Sequence, residues 1–243
     1  MAITEKMMFI DTSKCIACKA CQVACKQWHS LPADTTSFTG SYQNPPAFSE
    51  NNLTYVKFTE HVDYYGKLRW LFFKNQCRHC LRPKCSQRNP KGVKRLKTGA
   101  VIFNTACTWE NVRLLNKDER NEYKLFGDDT EKQKEYKIGL FEKSCPFLVP
   151  RYSENLQTFV KCDLCFDRIN SGKTTACELT CPVGAIQTGA PKDMAKAATA
   201  RFRKVKADYP EACLHNGGFG KTNVVFLLTE SPGNYDYTPA RGL

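Results

Sequence analysis

Four cysteines fall within eleven residues near the start of the chain, Cys15-Ile-Ala-Cys18-Lys-Ala-Cys21-Gln-Val-Ala-Cys25. The spacing C-x2-C-x2-C-x3-C is one that bacterial iron–sulfur proteins use to hold cubane clusters, the first three thiolates wrapping one cluster and the fourth reaching another. Cysteines at i, i+3 and i+6 can curl around one face of a cube and leave its last corner to a distant residue. A complementary run must then exist. It lies far downstream, as Cys162-Asp-Leu-Cys165, eleven residues, then Cys177-Glu-Leu-Thr-Cys181-Pro182. By the same crossing rule, Cys15, Cys18, Cys21 and Cys181 are expected to hold one [4Fe-4S] cluster, and Cys25, Cys162, Cys165 and Cys177 its neighbour. Disulfides suit small secreted scaffolds that lack a core, and structural zinc needs only paired C-x2-C units. Neither accounts for this run and its distant answer.

A third group obeys the same logic with one member missing. Cys77-Arg-His-Cys80-Leu-Arg-Pro-Lys-Cys85 should be succeeded by a Cys-Pro pair, but the chain has Asn89-Pro90. Gly99-Ala-Val-Ile-Phe103 then mirrors Gly184-Ala-Ile-Gln-Thr188, so the chain carries an internal repeat. The second copy supplies only Cys107, a charged insertion at 108–144, and Cys145-Pro146. Crossing predicts a third cluster on Cys77, Cys80, Cys85 and Cys145, and no fourth, because its ligands have been replaced. Of fourteen cysteines this leaves Cys107 and Cys213 as free thiols; the competing reading puts Cys107 in a fourth or a three-iron cluster. Metal ligation then joins apolar burial in determining the fold, since a site absent from the unfolded chain adds its binding free energy to folding.

Charge bears on what these sites do. The formal balance is +12, and three oxidised cubanes at about two negative charges each bring it to roughly +6. Residues 64–109 hold eleven Lys or Arg and no Asp or Glu. That run can neutralise clusters, dock an acidic protein or bind nucleic acid, although no nucleic-acid motif accompanies it. The N-terminal residues lack the apolar core of a signal peptide, and no apolar run approaches the eighteen or so residues of a membrane helix. The expectation is a soluble protein, either cytoplasmic or carried to the periplasm by a signal-bearing partner.

The fold class expected is α+β: two pseudo-symmetric bacterial-ferredoxin-like cluster domains, an inserted β-hairpin, and a C-terminal helix plus strand. Residues 1–30 with 150–191 would form the two-cluster unit. Residues 31–76 would add a polar loop and a hairpin, 53–62 against 67–73, around a turn at 63–66. Residues 77–149 would form the second unit, reduced to one cluster, with 108–144 as an exposed, partly helical excursion; it holds nine acidic and eight basic residues. Residues 192–243 would supply a helix at 192–208 with Met194, Ala198, Phe202 and Val205 on one face, a chain break at Gly217-Gly218, a strand at 223–229 and an extended tail. Residues 166–176 read as a loop between ligands. His29 reads as a hydrogen-bonded structural histidine, and His79 either packs or tunes a cluster by hydrogen bonding to sulfur. No Ser/His/Asp set, nucleotide-binding glycine loop or paired-carboxylate site is evident, so a catalytic site within the chain is not expected.

Several stretches resemble the iron–sulfur (beta) subunit of molybdenum- or tungsten-dependent formate dehydrogenases, within the wider family of four-cluster electron-transfer subunits of molybdopterin oxidoreductases. They are Cys21-Gln-Val-Ala-Cys25-Lys-Gln-Trp28-His29, Asn44-Pro45-Pro46, Trp70-Leu-Phe-Phe, Gln76-Cys77-Arg-His-Cys80, Cys145-Pro146 with Val149-Pro150-Arg151, and Lys161-Cys-Asp-Leu-Cys165-Phe-Asp-Arg168. The cysteine pattern is shared with nitrate, polysulfide and dimethyl-sulfoxide reductase partners; Trp28-His29 and Asn44-Pro45-Pro46 tilt toward formate dehydrogenase. The resemblance implies a large catalytic partner carrying a Mo- or W-bis-pterin cofactor. The missing fourth cluster and the missing C-terminal membrane helix of quinone-linked relatives imply a soluble cytochrome or ferredoxin-like carrier as acceptor. The outlying alternative is a zinc- or nucleic-acid-binding module.

Overall fold

A computed structural model describes residues 4–38, 40, 42–215 and 222–235. In chain order its elements are β1 (Met7–Asp11), α1 (Ala20–Trp28), β2 (Tyr55–Val62), β3 (Leu68–Asn75), α2 (Lys84–Arg88), β4 (Val93–Arg95), β5 (Val101–Phe103), α3 (Lys117–Lys124) and α4 (Thr130–Lys143). Then come β6 (Arg151–Ser153), β7 (Thr158–Val160), α5 (Phe166–Asn170), α6 (Ala176–Leu179), β8 (Ile186–Gly189), α7 (Pro191–Asp208), β9 (Cys213–His215) and β10 (Val224–Leu228).

One sheet ties the ends of the chain together, in the order β8-β1-β10-β9. β1 lies parallel to β10, with Met8 opposite Val224 and Ile10 opposite Phe226, and antiparallel to β8. Alternation along the strands divides the core in two. Met8, Ile10, Phe226 and Leu228 face the hairpin residues Val56, Leu71 and Phe73. Phe9 and Leu227 point the other way, onto Ala198 and Val205 of α7, with Met194 and Phe202 beside them. The four apolar positions spaced along 192–208 therefore line one helix face, while Lys196, Arg203, Lys204 and Lys206 are exposed.

The hairpin forms as its alternating aromatic and β-branched residues direct, β2 pairing with β3 from Tyr55–Asn75 to Val62–Leu68. β2 begins two residues later than the expected 53, and β3 runs past the expected 73 to Asn75. The insertion folds into α3 and α4. Asn116 and Asp129 cap them by accepting hydrogen bonds from the backbone N–H groups of Glu119 and Lys132, which satisfies donors a helix start leaves open.

Several features differ from the sequence reading. β4 and the β6–β7 pair are new, each strand being three residues long, too short to show a period. Residues 166–176 hold a one-turn helix, α5, rather than loop alone. Residues Pro232–Tyr235 form a 3-10 turn instead of an extended tail. The Tyr235 hydroxyl is buried against Thr12 Oγ1 (3.0 Å) and Thr229 Oγ1 (2.7 Å). The Gly217-Gly218 break and the end of the tail fall outside the described residues. The internal repeat has a backbone counterpart. Gly99 and Gly184 both adopt positive φ, +84° and +60°, and the alanine after each is buried.

Candidate metal centres

The loops that carry the cysteines share one local geometry. In three of the four C-x2-C units the residue just before the second cysteine has positive φ, Ala17 (55°), His79 (47°) and Leu164 (64°), and in the fourth, Cys18 to Cys21, the positive φ falls one residue earlier, at Lys19 (60°). A non-glycine residue in this region is strained and persists only where its surroundings hold it. The curl aims backbone N–H groups at sulfur, as His79 N does at Cys77 Sγ (3.4 Å). Ala185 N does the same at Cys181 Sγ (3.3 Å), and Thr175 Oγ1 lies 3.4 Å from Cys177 Sγ. Concavities lined with N–H groups suit anionic sulfur.

Two short helices sort the thiols. Cys21 and Cys25 sit four apart on α1, on one face and both buried; α6 carries Cys177 and releases the chain just before Cys181. One cavity is lined by Cys15, Cys18, Cys21 and Cys181, with Ile10, Val56 and Ile186 on its inner side and Cys18 toward solvent. A second is lined by Cys25, Cys162, Cys165 and Cys177. These are the two quartets that crossing pairs. The third quartet is also together: Cys85 feels the charges of Cys145, Cys77 and Cys80, and Cys80 those of Cys77 and Cys145.

Cys107 and Cys213 lie apart from these groups. Cys107 is sealed among Val93, Val101, Val112, Phe141 and Phe159, and the charge bearing on it is that of Lys161. The Cα of Gly92 backs onto it so closely that an added Cβ would meet Cys107 Cα at 2.3 Å. Asn89, standing where a ligand was expected, instead accepts from Gly92 N (2.9 Å) and donates to the Thr108 carbonyl (3.1 Å). An apolar core and a hydrogen-bonded turn fill this region. Cys213 Sγ faces the Glu230 carbonyl at 3.8 Å.

Burial pushes the thiols of Cys21 and Cys80 up to about 12, so deprotonating them takes a strong local cation. Burial works against Cys77 as well, but the Lys161 charge and the hydrogen bond from the His79 backbone N–H outweigh it and lower that thiol. The cations responsible were not apparent from spacing. Lys74 and Lys161 are both buried; Lys161 donates to the Cys162 carbonyl (3.0 Å) and lies over the Phe103 ring. Arg78 is wholly enclosed among Phe73, Phe147 and Phe226, which anchors the loop between Cys77 and Cys80. The one signal available was Lys74 itself, a charge interrupting the buried end of an aromatic strand. The basic run at 64–109 thus sends Lys74, Arg78 and Arg88 inward. His79 accepts from Val101 N at Nδ1 (3.0 Å), which places its proton on Nε2, 3.6 Å from Cys162 Sγ. His29 bridges the Cys25 carbonyl (2.9 Å) and the Asp163 carboxylate (3.1 Å).

Quartets of gathered thiols, N–H groups turned toward sulfur and buried cations suit anionic iron–sulfur clusters. Sequence comparison points the same way. The 4Fe-4S dicluster domain family matches residues 68–118 and 114–191, and a 4Fe-4S binding domain family matches 6–27. The formate dehydrogenase 2 subunit beta (cytochrome c-553) of Nitratidesulfovibrio vulgaris is 34% identical over 235 residues, covering 95% of this chain and 96% of that protein. The chain belongs to the iron–sulfur (beta) subunit family of formate dehydrogenases. The formate dehydrogenase beta subunit of Megalodesulfovibrio gigas is 35% identical over 231 residues, 95% of this chain and 97% of that one. The nitrate-inducible formate dehydrogenase iron–sulfur subunit of Escherichia coli is 34% identical over 226 residues, 92% of this chain and 68% of that one. As a formate dehydrogenase beta-type chain it is an iron–sulfur, electron-transfer component of an oxidoreductase complex, built on tandem ferredoxin-like 4Fe-4S domains. No helix among the described residues is long and apolar enough to cross a membrane.

Proposed function

We propose that this chain conducts electrons between a Mo- or W-bis-pterin site in a large formate dehydrogenase catalytic subunit and an external carrier, using three [4Fe-4S] clusters. Cys15, Cys18, Cys21 and Cys181 hold the first, Cys25, Cys162, Cys165 and Cys177 the second, and Cys77, Cys80, Cys85 and Cys145 the third. Each cluster, when bound, supplies one-electron outer-sphere transfer at a potential tuned by burial and by hydrogen bonds to sulfur. The observation that carries this reading is the gathering of twelve of the fourteen cysteines (all but Cys107 and Cys213) into three quartets beside buried cations.

The quartets also suggest an order. Lys74 lines the cavities of the first and second, while His79, from the loop of the third, reaches Cys162 of the second. The second quartet therefore stands in the middle. Beyond the third, the core around Cys107 and Phe141 supports a wire that ends there. The external carrier we propose is a soluble cytochrome or ferredoxin-like protein; cytochrome c-553 appears in the name of the Nitratidesulfovibrio relative.

Purifying the chain with its large subunit tests the reading. Roughly twelve iron and twelve sulfide per chain are expected, with formate bleaching the clusters' visible absorbance. A colourless, zinc-loaded protein, or a complex that turns over only sulfur or nitrogen oxyanions, would defeat it.

A further inference from the structure

Lys74 is the most deeply buried lysine among the described residues, 2% exposed. It sits near the end of β3, where the strand leaves the hairpin for Cys77, and it lines both the first and the second thiol cavity. Its ammonium donates to Thr54 Oγ1 (3.0 Å) and to the side-chain oxygen of Gln76. No ion pair among the described residues includes it. Cys21 lines one of these cavities with it, and Cys25, Cys162 and Cys177 line the other. These four cysteines come from both quartets. A buried ammonium with neutral hydrogen-bond partners is costly unless anions stand close by. The anions here are the sulfur groups on either side.

We propose that Lys74 is the shared counter-charge of the first two clusters, a positioning residue that raises both of their reduction potentials together. Reducing a four-thiolate cluster adds a negative charge, and a fixed cation beside it stabilises the reduced form. Because Lys74 faces two clusters, it also offsets the repulsion between electrons resident on both at once. Its burial keeps it from being screened by salt. Lys161 stands in a different relation, near Cys77 and Cys85 of the third quartet and Cys162 of the second, so the third cluster has a cation that the first does not share.

The inference rests on the three-cluster function proposed for the chain, and the experiment separates the two. Lys74→Met and Lys74→Arg are made in the purified complex, iron and sulfide are counted, and the clusters are titrated potentiometrically with EPR detection. With Met, two of three midpoint potentials should fall together, each by at least tenfold in the reduction equilibrium, about 59 mV for a one-electron couple. The third should hold, and Arg should restore the pair. Should the Met variant lose iron, Lys74→Gln, which keeps a donor for Thr54 without the charge, carries the same expectation. Full iron with unmoved potentials, or all three potentials shifting alike, would overturn the proposal and leave the cluster reading intact. Loss of iron from both neutral variants but not from Arg would also overturn it, assigning Lys74 to cluster assembly. Absence of iron from the unmodified complex would sink the cluster reading itself.

Discussion

Cys107 and Cys145 flank the same insertion, one preceding a threonine and the other a proline, and their surroundings part company. Cys145 lies with Cys77, Cys80 and Cys85, whereas Cys107 is packed like a valine among apolar side chains. Cys107→Val should leave iron content unchanged; Cys145→Ser should remove about one cluster's worth of iron, read by elemental analysis. Burial raises the Cys107 thiol from its ordinary 9.0 to about 12. A neutral form preferred in the fold contributes stability that is complete below about pH 9 and is withdrawn as pH climbs toward 12. Urea midpoints measured at about pH 8 and about pH 11 should therefore fall more steeply in the natural chain than in Cys107→Val. Spacing could name the candidate thiols because cluster ligation demands fixed intervals. It left Cys107 over as a free thiol but could not say what surrounds it, because Phe141 and Phe159 arrive from remote segments.

Among the elements, those with a long period were legible and the short ones were not. The stripe on α7 and the alternation in β2 and β3 repeat often enough to identify both element and buried face. β4, β6 and β7 span three residues each and exist because they pair, not because their residues demand it. The hairpin is fastened to the first cysteine helix by a buried hydrogen bond, Val56 N donating to Gln22 Oε1 at 2.8 Å. Gln22→Leu strands that amide, and the loss should be roughly 1–3 kcal/mol. Thermal unfolding of the variant checks it. Since Val56 also lines the first cavity, the same variant should expose its cluster to oxidation sooner, seen as faster bleaching in air.

At the scale of the whole molecule, metal and sheet share the work of closing the chain. β1 and β8 pair beside the same residues whose cysteines cross between quartets, so strand pairing and ligation reinforce each other. Removing iron would leave positive-φ loops without their ligand and two buried lysines without facing anions, on top of the lost binding free energy. Iron-depleted protein should consequently unfold at a lower temperature. Its cysteine-bearing segments at 15–25 and 162–181 should be cut by protease before the central sheet. Calorimetry and limited proteolysis on the same preparation, before and after chelation, would show this; an unchanged transition would mean that the apolar core alone holds the fold.

The chain's residues by themselves determined which thiols could act together and that they should cross between distant segments, because cubane ligation imposes intervals that few other chemistries tolerate. They also determined the hairpin and the long basic helix, whose periods are local. Tertiary structure alone decided that Lys74 stands between two quartets, that His79 presents its proton to a neighbouring quartet's sulfur, and that Cys107 is packed in a hydrophobic cluster. Those outcomes depend on which remote segments meet, and electrostatics in a buried space is set by that meeting rather than by any interval along the sequence.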